Sequence, residues 1–341
     1  MVLKNYRTLS ATQAYAGVAT TITTDLPRDF LVQRVVLDFN GTTTIAGAPS
    51  VLVEDALLEN VSSIKIKAVG EGSSRTIFDV SGADLYYMNL FDYGAGTALQ
   101  NTNTAVGAHL QSTAWTCDFR INKQDPDDYS VAIPSYLLST LQLEITYTAS
   151  ATGYGTNVGA QAFTMGITLI EGIPEASEDF SANPLLTVLS KQIVTDGAVG
   201  IQDLDTYFQV GALIRRSFLC TESALGARAD TIVSDYSVKS GQIPLMSNVN
   251  YRANKTVNNE NYRIAELVNG VLAVPAPNAW NVAGYSMIDF ANNQQPFIPT
   301  ASGLKIDGLS TVGYNVGDLV FSPNKTAVNV IMRRVQETVE G

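Results

Sequence analysis

Apolar and polar residues alternate strictly along several stretches of this chain. From Leu141 to Thr148, leucine, isoleucine or tyrosine occupies every second position, with glutamine, glutamate or threonine between them. Successive side chains of a strand point to opposite faces of a sheet, so this pattern predicts strands with one buried face. The alternation recurs in three further stretches: Ser63–Ala68, Trp115–Ile121 and Phe163–Leu169. The chain is therefore predicted to form antiparallel sheets packed face to face.

Helical signals are sparse, and long polar loops separate the predicted strands. Ser81 is a predicted N-cap for a short helix that runs past Tyr87, and a second helix is predicted from Ser247 past Tyr251. Loops of this length usually carry function or become ordered against a partner. The two predicted loops, rich in Gly, Ala, Asn and Thr, span Gly94–Gln111 and Ala149–Gly159.

Chain length and an internal repeat both indicate two domains. With 341 residues, the chain is too long for one ordinary β-sandwich. In each half, an apolar strand is followed by a serine and a helix start, and each half also ends in an apolar strand. The matching segments are Phe30–Leu37 with Ala212–Leu219, Thr76–Leu85 with Gln242–Tyr251, and Ala162–Glu171 with Ala327–Val335.

A polar, acidic segment that begins at Gly172 and contains Pro174 marks the predicted boundary between the halves. The predicted fold class is all-β, with short helices in the loops. The predicted organisation is an N-terminal arm over 1–27, a first domain over 28–172, a linker over 173–204, and a second domain with a C-terminal tail over 205–341.

Charge is scarce and predominantly negative. Charged residues make up 16% of the chain, against about 25% in a typical soluble domain. A surface with few charges loses little hydration when neighbours cover it, which favours packing among copies, although polar turns in any β-protein give the same bias. The net charge is −11 without a cluster of Lys and Arg, so we expect no direct nucleic-acid binding by the main body.

The sequence contains neither a signal-peptide pattern at Met1–Arg7 nor a run of about 18 apolar residues. We therefore expect no membrane span and a protein that stays on the cytosolic side. The two cysteines, Cys117 and Cys220, lie in apolar strand-like runs, so buried thiols are favoured over a disulfide, although one bridge remains open.

No catalytic, cofactor-binding or metal-binding residue is predicted from the sequence. His109 is the only histidine, and a triad needs an orienting group and a nucleophile beside it. The run Asp125–Asp128 is the best cation candidate, but its spacing is not that of an EF-hand, and a solvated acidic turn fits it better. Asp203 and Asp205 would share a strand face, as paired glycosidase acids or as ordinary exposed acids.

Other motifs are equally unspecific, and neither a cofactor nor an enzymatic activity is expected. Gly153–Gly155 lacks the lysine and helix of a phosphate loop. Lys4 with Arg7, and Arg333 with Arg334, place small positive charges near the two ends, which ordinary solvated residues explain as well as contacts to a membrane or nucleic acid. Glycosylation sequons begin at Asn40, Asn60, Asn254 and Asn324, as chance allows in such a chain.

The order of elements resembles that of a known family. The strand Leu31–Phe39, the strand Ile64–Gly70 and the strand-plus-helix segment Thr76–Tyr87 resemble the opening of the first jelly roll in double jelly-roll major capsid proteins of tailless icosahedral viruses. The second half, from Ala212 onward, resembles a second copy. The resemblance rests on element order and length and covers most of the chain.

The resemblance implies two tandem eight-stranded antiparallel jelly-roll barrels and a non-enzymatic, structural role. Three chains would form a pseudo-hexagonal capsomer, and capsomers would tile an icosahedral shell. The implied partners are further copies of the chain, minor capsid proteins and, in many members, an inner viral membrane. The implied location is the virion, assembled in the host cytoplasm.

Two other functions remain open at this point. A carbohydrate-binding β-sandwich adhesin or receptor-binding protein would present exposed aromatic side chains in a cleft. Its candidates are Tyr86, Tyr87, Trp280 and Tyr285, which fit a core or a subunit contact better. A jelly-roll glycoside hydrolase would place Asp203 and Asp205 across a concave sheet.

Overall fold

The computed structural model divides the chain into two compact units, one up to Asn183 and one from Pro184 onward among the described residues. This boundary lies inside the stretch 173–204 that was predicted as a linker. The structure describes residues 2–9, 13–47, 55–70, 73–93, 98–99, 106–149, 156–175, 179–181, 183–195, 197–224, 228–262, 283–291 and 307–340.

In its described residues, the first unit consists mainly of antiparallel strands with two helices and one 3-10 turn. Its strands are β1 Leu3–Thr8, β2 Gln13–Tyr15, β3 Thr20–Asp25, β4 Leu31–Ile45, β5 Val61–Gly70, β6 Ser73–Val80, β7 Ala98–Leu99, β8 Gly107–Asp118, β9 Ile133–Pro134, β10 Thr140–Tyr147 and β11 Val158–Ile173. Its helices are α1 Ala56–Glu59 and α2 Gly82–Tyr93, and the 3-10 turn is Ser135–Leu137.

The strands of the first unit pair in two groups. In sheet I the order is β1-β11-β4-β8-β7, with β2 also paired to β11 and β9 to β4. In sheet II the strands β6, β5, β10 and β3 are neighbours in that order. The alternating stretches predicted from sequence lie in these strands, except that Trp115–Ile121 continues three residues past the end of β8, and their apolar residues are buried.

Aromatic side chains from both sheets hold the core of the first unit together. Phe39 of β4 stacks on Phe163 of β11 with ring centroids 4.5 Å apart, within sheet I. Tyr15 of β2 stacks on Tyr147 of β10 at 4.9 Å and thereby links sheet I to sheet II. Such rings contribute both buried area and favourable stacking geometry.

Helix α2 begins where the sequence predicts. The hydroxyl of Ser81 accepts a hydrogen bond from the backbone N–H of Asp84 at 3.1 Å, which is the contact expected of an N-cap. Gly82 then allows close packing, because an added Cβ would lie 2.7 Å from the carbonyl oxygen of Leu58. The helix is buried along most of its length, and Trp115 donates its indole N–H to the carbonyl of Gly82.

The described residues of the second unit form two further groups of antiparallel strands and one helix of 12 residues. Its strands pair as sheet III, β17-β14-β20-β12 with β18 beside β14, and as sheet IV, β13-β19-β15-β16. Its core contains Tyr207 and Phe321, whose rings stack 4.2 Å apart. The elements are β12 Leu185–Val194, β13 Gly200–Ile201, β14 Leu213–Glu222, β15 Val233–Ser240, β16 Ile243–Asn250, α3 Tyr251–Tyr262, β17 Tyr285–Asp289, β18 Leu309–Ser310, β19 Leu319–Lys325 and β20 Ile331–Glu340.

Pairing partners confirm the internal repeat. The last strand of each unit pairs with the unit's long central strand, β11 with β4 and β20 with β14. A hairpin followed at once by a helix, β5-β6-α2, corresponds to β15-β16-α3. Eight strands of each unit correspond by order and pairing: β1, β3, β4, β5, β6, β8, β10 and β11 match β12, β13, β14, β15, β16, β17, β19 and β20.

Two stretches that were predicted as arm and linker contain strands. Residues 1–27 include β1, β2 and β3, which pair with β11 and β10. The linker stretch 173–204 includes β12, which pairs with β20 over its whole length, from Leu185 opposite Glu340 to Val194 opposite Ile331. The partner of β12 lies almost at the end of the chain, so local sequence gives no sign of this pairing.

The predicted start of the second helix at Ser247 is wrong. Ser247 lies inside β16, because β15 continues to pair with that strand as far as Asn250. Helix α3 begins at Tyr251, and the side-chain oxygen of Asn250 accepts a hydrogen bond from the N–H of Ala253 at 3.0 Å. Asparagine caps helices as well as serine does, which explains why the nearer residue is used.

The predicted loops are shorter than the sequence suggested. Strand β8 already begins at Gly107 and β11 at Val158, because both continue to pair with β4 towards Ile45. The stretches 94–97, 100–105 and 150–155 lie outside the described residues. No helix in the described part of the chain is long and apolar enough to cross a membrane.

Candidate functional site

In the acidic run Asp125–Asp128, the carboxylates of Asp125 and Asp128 accept hydrogen bonds from backbone N–H groups of the same loop. One carboxylate oxygen of Asp128 accepts two backbone N–H groups, at 2.7 and 2.8 Å. Lys4 lies 3.1 Å from the carboxylate of Asp127. Across the residues that the structure describes, no three His, Cys, Asp or Glu side chains are grouped as metal ligands. The carboxylates therefore stabilise a turn, and their geometry gives no support to a cation site.

Beside this loop, Asp118 and Arg120 form a buried ion pair that sequence reasoning missed. The guanidinium of Arg120 lies 2.6 Å from the carboxylate of Asp118, and Tyr93 donates its hydroxyl to the same carboxylate. Burial alone would raise the pKa of Asp118, but Lys123 and Arg120 hold it below its usual value. Perturbed groups often mark active sites. Here the charges neutralise one another and fasten the loop after β8.

The remaining catalytic candidates are not brought together. His109 lies within β8, opposite Thr43 of β4, and not in a loop as predicted. Asp203 accepts a hydrogen bond from the hydroxyl of Ser322 at 2.5 Å, and Asp205 lies in a turn between β13 and β14. The predicted pair of acids on one strand is therefore wrong. Gly153–Gly155 falls outside the described residues.

The aromatic candidates for a glycan cleft belong to the core. Tyr86, Tyr87 and Tyr285 are all buried. Tyr87 donates its hydroxyl to Asp55 at 2.8 Å, and Arg228 lies over the ring of Tyr285. A carbohydrate-binding cleft requires exposed rings, so these tyrosines do not form one. Trp280 lies outside the described residues.

The basic residues near the chain ends are also paired internally. Arg7 lies 2.6 Å from Asp29 and 3.1 Å from Glu171. Arg333 forms an ion pair with Glu222, and the buried Arg334 donates to a backbone carbonyl. Burial lowers the pKa of Arg334 to about 10. These three arginines and Lys4 all contact groups of their own fold and do not form a binding patch.

Of the four asparagines that begin a glycosylation sequon, three are buried or hydrogen-bonded within the fold. Asn60 is fully buried. Asn254 donates to the carbonyl of Met287 at 2.8 Å, and Asn324 donates to Asp235 at 3.0 Å. Asn40 alone is exposed, on the outer face of β4.

The cysteines carry a direct prediction. Cys117 and Cys220 are buried thiols that are not joined in a disulfide, as the sequence predicted, and burial raises the pKa of the Cys117 thiol well above its usual value. Because the thiolate is the reactive form, both should resist a thiol reagent until the chain unfolds. Titration with a chromogenic disulfide should detect no thiol in the native protein and both thiols in guanidinium chloride. Rapid labelling of the native protein would contradict this.

The candidate residues described above serve the fold. A further feature of the first unit is that its two outer faces differ in charge. The outer face of sheet II, the charged wall, carries an ion-paired ladder: Lys67 lies 2.6 Å from Glu144, and Lys65 lies 3.3 Å from Asp79. Asp25 extends the charge onto β3, where it accepts a hydrogen bond from Gln142. This face resembles an ordinary solvated surface.

The outer face of sheet I is almost uncharged. Among the side chains that the structure describes between the rows of Val36 and Thr44 on β4, Asp38 is the only charged one, and Asn40 contacts it at 3.0 Å. We call this face the neutral wall, and it consists of exposed or half-buried side chains. Its members are Thr8, Ala14, Val36, Asp38, Asn40, Thr42, Thr44, Ala108, Leu110, Ser112, Ala114, Ala162, Thr164 and Thr168.

Neither protein-family models nor curated protein sequences match this chain. Solved structures do match it. The major capsid protein of STIV aligns over 98% of this chain and 97% of its own, with a TM-score of 0.73 and 16% identity. The major capsid protein P2 from bacteriophage PM2 aligns over 99% and 98%, with a TM-score of 0.59 and 11% identity. The PBCV-1 capsid aligns over 99% and 94%, with a TM-score of 0.60 and 9% identity.

The chain has the double jelly-roll fold. The alignments extend over nearly all of each chain, so they include both units and not one jelly roll alone. The double jelly roll was the fold class predicted from element order, and it is confirmed. Its two copies of one eight-stranded unit match the repeated strand pairing described above.

Proposed function

We propose that this chain is a viral major capsid protein whose homotrimers form the pseudo-hexagonal capsomers of an icosahedral shell. The observation that carries the proposal is the repetition of one eight-stranded unit within a single chain, in a double jelly roll. Solved proteins of this fold include the major capsid proteins of STIV and PM2. The chemistry-bearing side chains found in the described residues stabilise loops and core, which fits a structural role.

Repetition within the chain has a geometric purpose in this proposal. A threefold axis acting on a chain with two similar units produces a ring of six similar units. Such a ring approximates a hexagon, and hexagons can tile a closed surface with one gene product. Exposed sheet edges favour uncontrolled pairing between chains, and closed packing of the units within the ring would limit it.

The proposal extends to partners and location. The principal partner is the chain itself, within the trimer and between neighbouring capsomers. Minor capsid proteins and an inner viral membrane are further partners under this proposal, and the protein would reside in the virion after assembly in the host cytoplasm. Support for these finer points comes from the resemblance in element order described above.

The solution mass of the purified full chain tests the proposal. Light scattering coupled to size-exclusion chromatography should give three times the chain mass of 36.5 kDa. The physical reason is that a capsomer must be a stable building block before it joins a shell. A mass of 36.5 kDa at every concentration and salt condition tried would contradict the trimer.

A further inference from the structure

We propose that the neutral wall of the first unit is the surface on which a second copy of this chain packs. This inference rests on the proposed function, since a capsomer requires contacts between copies. It adds the face of the molecule that makes the contact. The neutral wall is formed by β1, β2, β11, β4 and β8 and faces away from the core of its own unit.

The first argument is the cost of removing water. Covering the charged wall would desolvate Lys65, Lys67 and Glu144 together with their ion pairs. Buried charges recover that cost only with excellent new partners. On the neutral wall the only charge to desolvate is Asp38, and Asn40 already donates to it. A partner can therefore cover the neutral wall at much lower cost.

The second argument is that polar groups of the neutral wall already bond to one another. The hydroxyls of Thr8 and Thr168 lie 3.1 Å apart across β1 and β11. Thr164 lies within 3.5 Å of the side-chain oxygen of Asn40 across β11 and β4. Polar groups that are bonded within one surface remain satisfied when another molecule excludes water.

The third argument concerns entropy and apolar content. Thr, Ser and Ala side chains lose much less rotamer freedom on burial than Lys or Glu. Leu110 lies within the wall, opposite Thr42, and is 63% exposed. Covering Leu110 would contribute apolar burial, which is the main favourable term in protein association.

The fourth argument is area. Nine residues of β4, from Val36 to Thr44, span roughly 27–30 Å, and four strands side by side span about 19 Å. The product is a flat area of about 500 Å², and the pleat and the side chains increase the true surface area above this value. Stable interfaces bury about 600–1,000 Å² on each partner. The neutral wall can therefore supply most of one side of a stable contact.

Two matched substitutions test the inference. Thr164→Lys places a long cation on the neutral wall, and Thr146→Lys places the same cation on the charged wall. Both threonines lie in strands and face outward, Thr164 near the middle of β11 and Thr146 near the end of β10, where it contacts the hydroxyl of Thr21 at 3.1 Å. Sedimentation velocity of the full chain over a concentration series gives the midpoint of subunit dissociation for each variant.

We expect Thr164→Lys to raise the dissociation midpoint by about tenfold or more, because its ammonium group would be buried against the partner copy. Thr146→Lys should leave the midpoint within about twofold of the parent. Circular dichroism and thermal unfolding of both variants check that each is folded. If Thr164→Lys fails to fold, Leu110→Lys takes its place on the same wall.

The outcomes separate this inference from the proposed function. A parent protein that assembles while Thr164→Lys and Leu110→Lys assemble equally well would overturn the assignment of the neutral wall. Dissociation by Thr146→Lys alone would overturn it too, by placing the contact on the charged wall. A parent protein that stays monomeric throughout would instead count against the capsomer itself.

Discussion

Replacing Glu337 with glutamine is expected to lower the free energy of unfolding by about 3–5 kcal/mol, because it removes the buried negative charge that two buried guanidinium groups contact. Arg215 lies 2.5 Å and Arg216 lies 2.7 Å from opposite oxygens of the Glu337 carboxylate. Glu337 and Arg216 are fully buried, and Arg215 is 3% exposed. Water therefore cannot compensate for the lost charge.

A bulge in β14 makes this arrangement possible. Neighbouring residues of a regular strand point to opposite faces, so Arg215 and Arg216 could not otherwise reach one carboxylate. The register between β14 and β20 shifts between Ile214 and Arg216, which inserts one extra residue and turns both side chains towards Glu337. The three charges thus fix the register of the two strands at this point.

Glu144→Gln is the matched control for Glu337→Gln. Glu144 also lies on a strand and contacts Lys67 at 2.6 Å, but it is 21% exposed on the charged wall. Loss of a solvent-exposed ion pair should cost only about 0.2–1 kcal/mol. Urea denaturation of both variants gives the comparison. Equal losses would mean that burial contributes nothing to the Glu337 cluster.

The second large effect is expected for Gly41→Ala, which should destabilise the protein by about 3 kcal/mol through overpacking. An alanine Cβ at position 41 would lie 2.1 Å from the carbonyl oxygen of Ala162 and 2.6 Å from the Cα of Phe163. Both atoms belong to the backbone of β11, which pairs with β4 along this stretch. A backbone atom cannot rotate away as a side chain can, so the paired strands must separate.

Gly166→Ala tests whether the effect comes from close approach or from loss of glycine itself. Gly166 lies in β11 of the same sheet, and the nearest atoms to an added Cβ there belong to Asp38, at 3.7 and 3.8 Å. These are ordinary contact distances, so the stability should change by no more than about 0.5 kcal/mol. Thermal unfolding of the two variants should differ markedly. Similar melting temperatures would contradict the packing argument.

Much of this fold could be predicted from the sequence because it depends on the local alternation of apolar and polar residues. The stretch around Leu143 alternates with period two, and its apolar residues all face the core of the first unit. Ser81 caps a helix because capping involves only the next few residues. The repeated strand-and-helix order likewise depends on local patterns, which explains why the two-unit organisation could be predicted.

What the sequence did not predict depends on long-range pairing. Strand β12 pairs with β20 at the far end of the chain, and β1 pairs with β11 in the same way. Neither segment can form a stable strand without its distant partner, so the local pattern predicted a linker and an arm instead. The buried arginine partners of Glu337 likewise become apparent only once the register of β14 and β20 is known.

The neutral wall belongs to the same class of hidden features. Each of its strands contributes only every second residue, and the members come from segments as distant as Ala14 and Thr164. Low overall charge could be recognised from composition, and it suggested packing among copies. Only the register of β2, β11, β4 and β8 reveals that the uncharged positions collect on one face.

Electron cryomicroscopy of the purified full chain tests the central claim most directly, because it images the assembly itself. The account predicts threefold particles with six similar lobes in a pseudo-hexagonal ring, two lobes from each chain. Particles with the dimensions of one 36.5 kDa chain, or rings in which each chain contributes a single lobe, would contradict it.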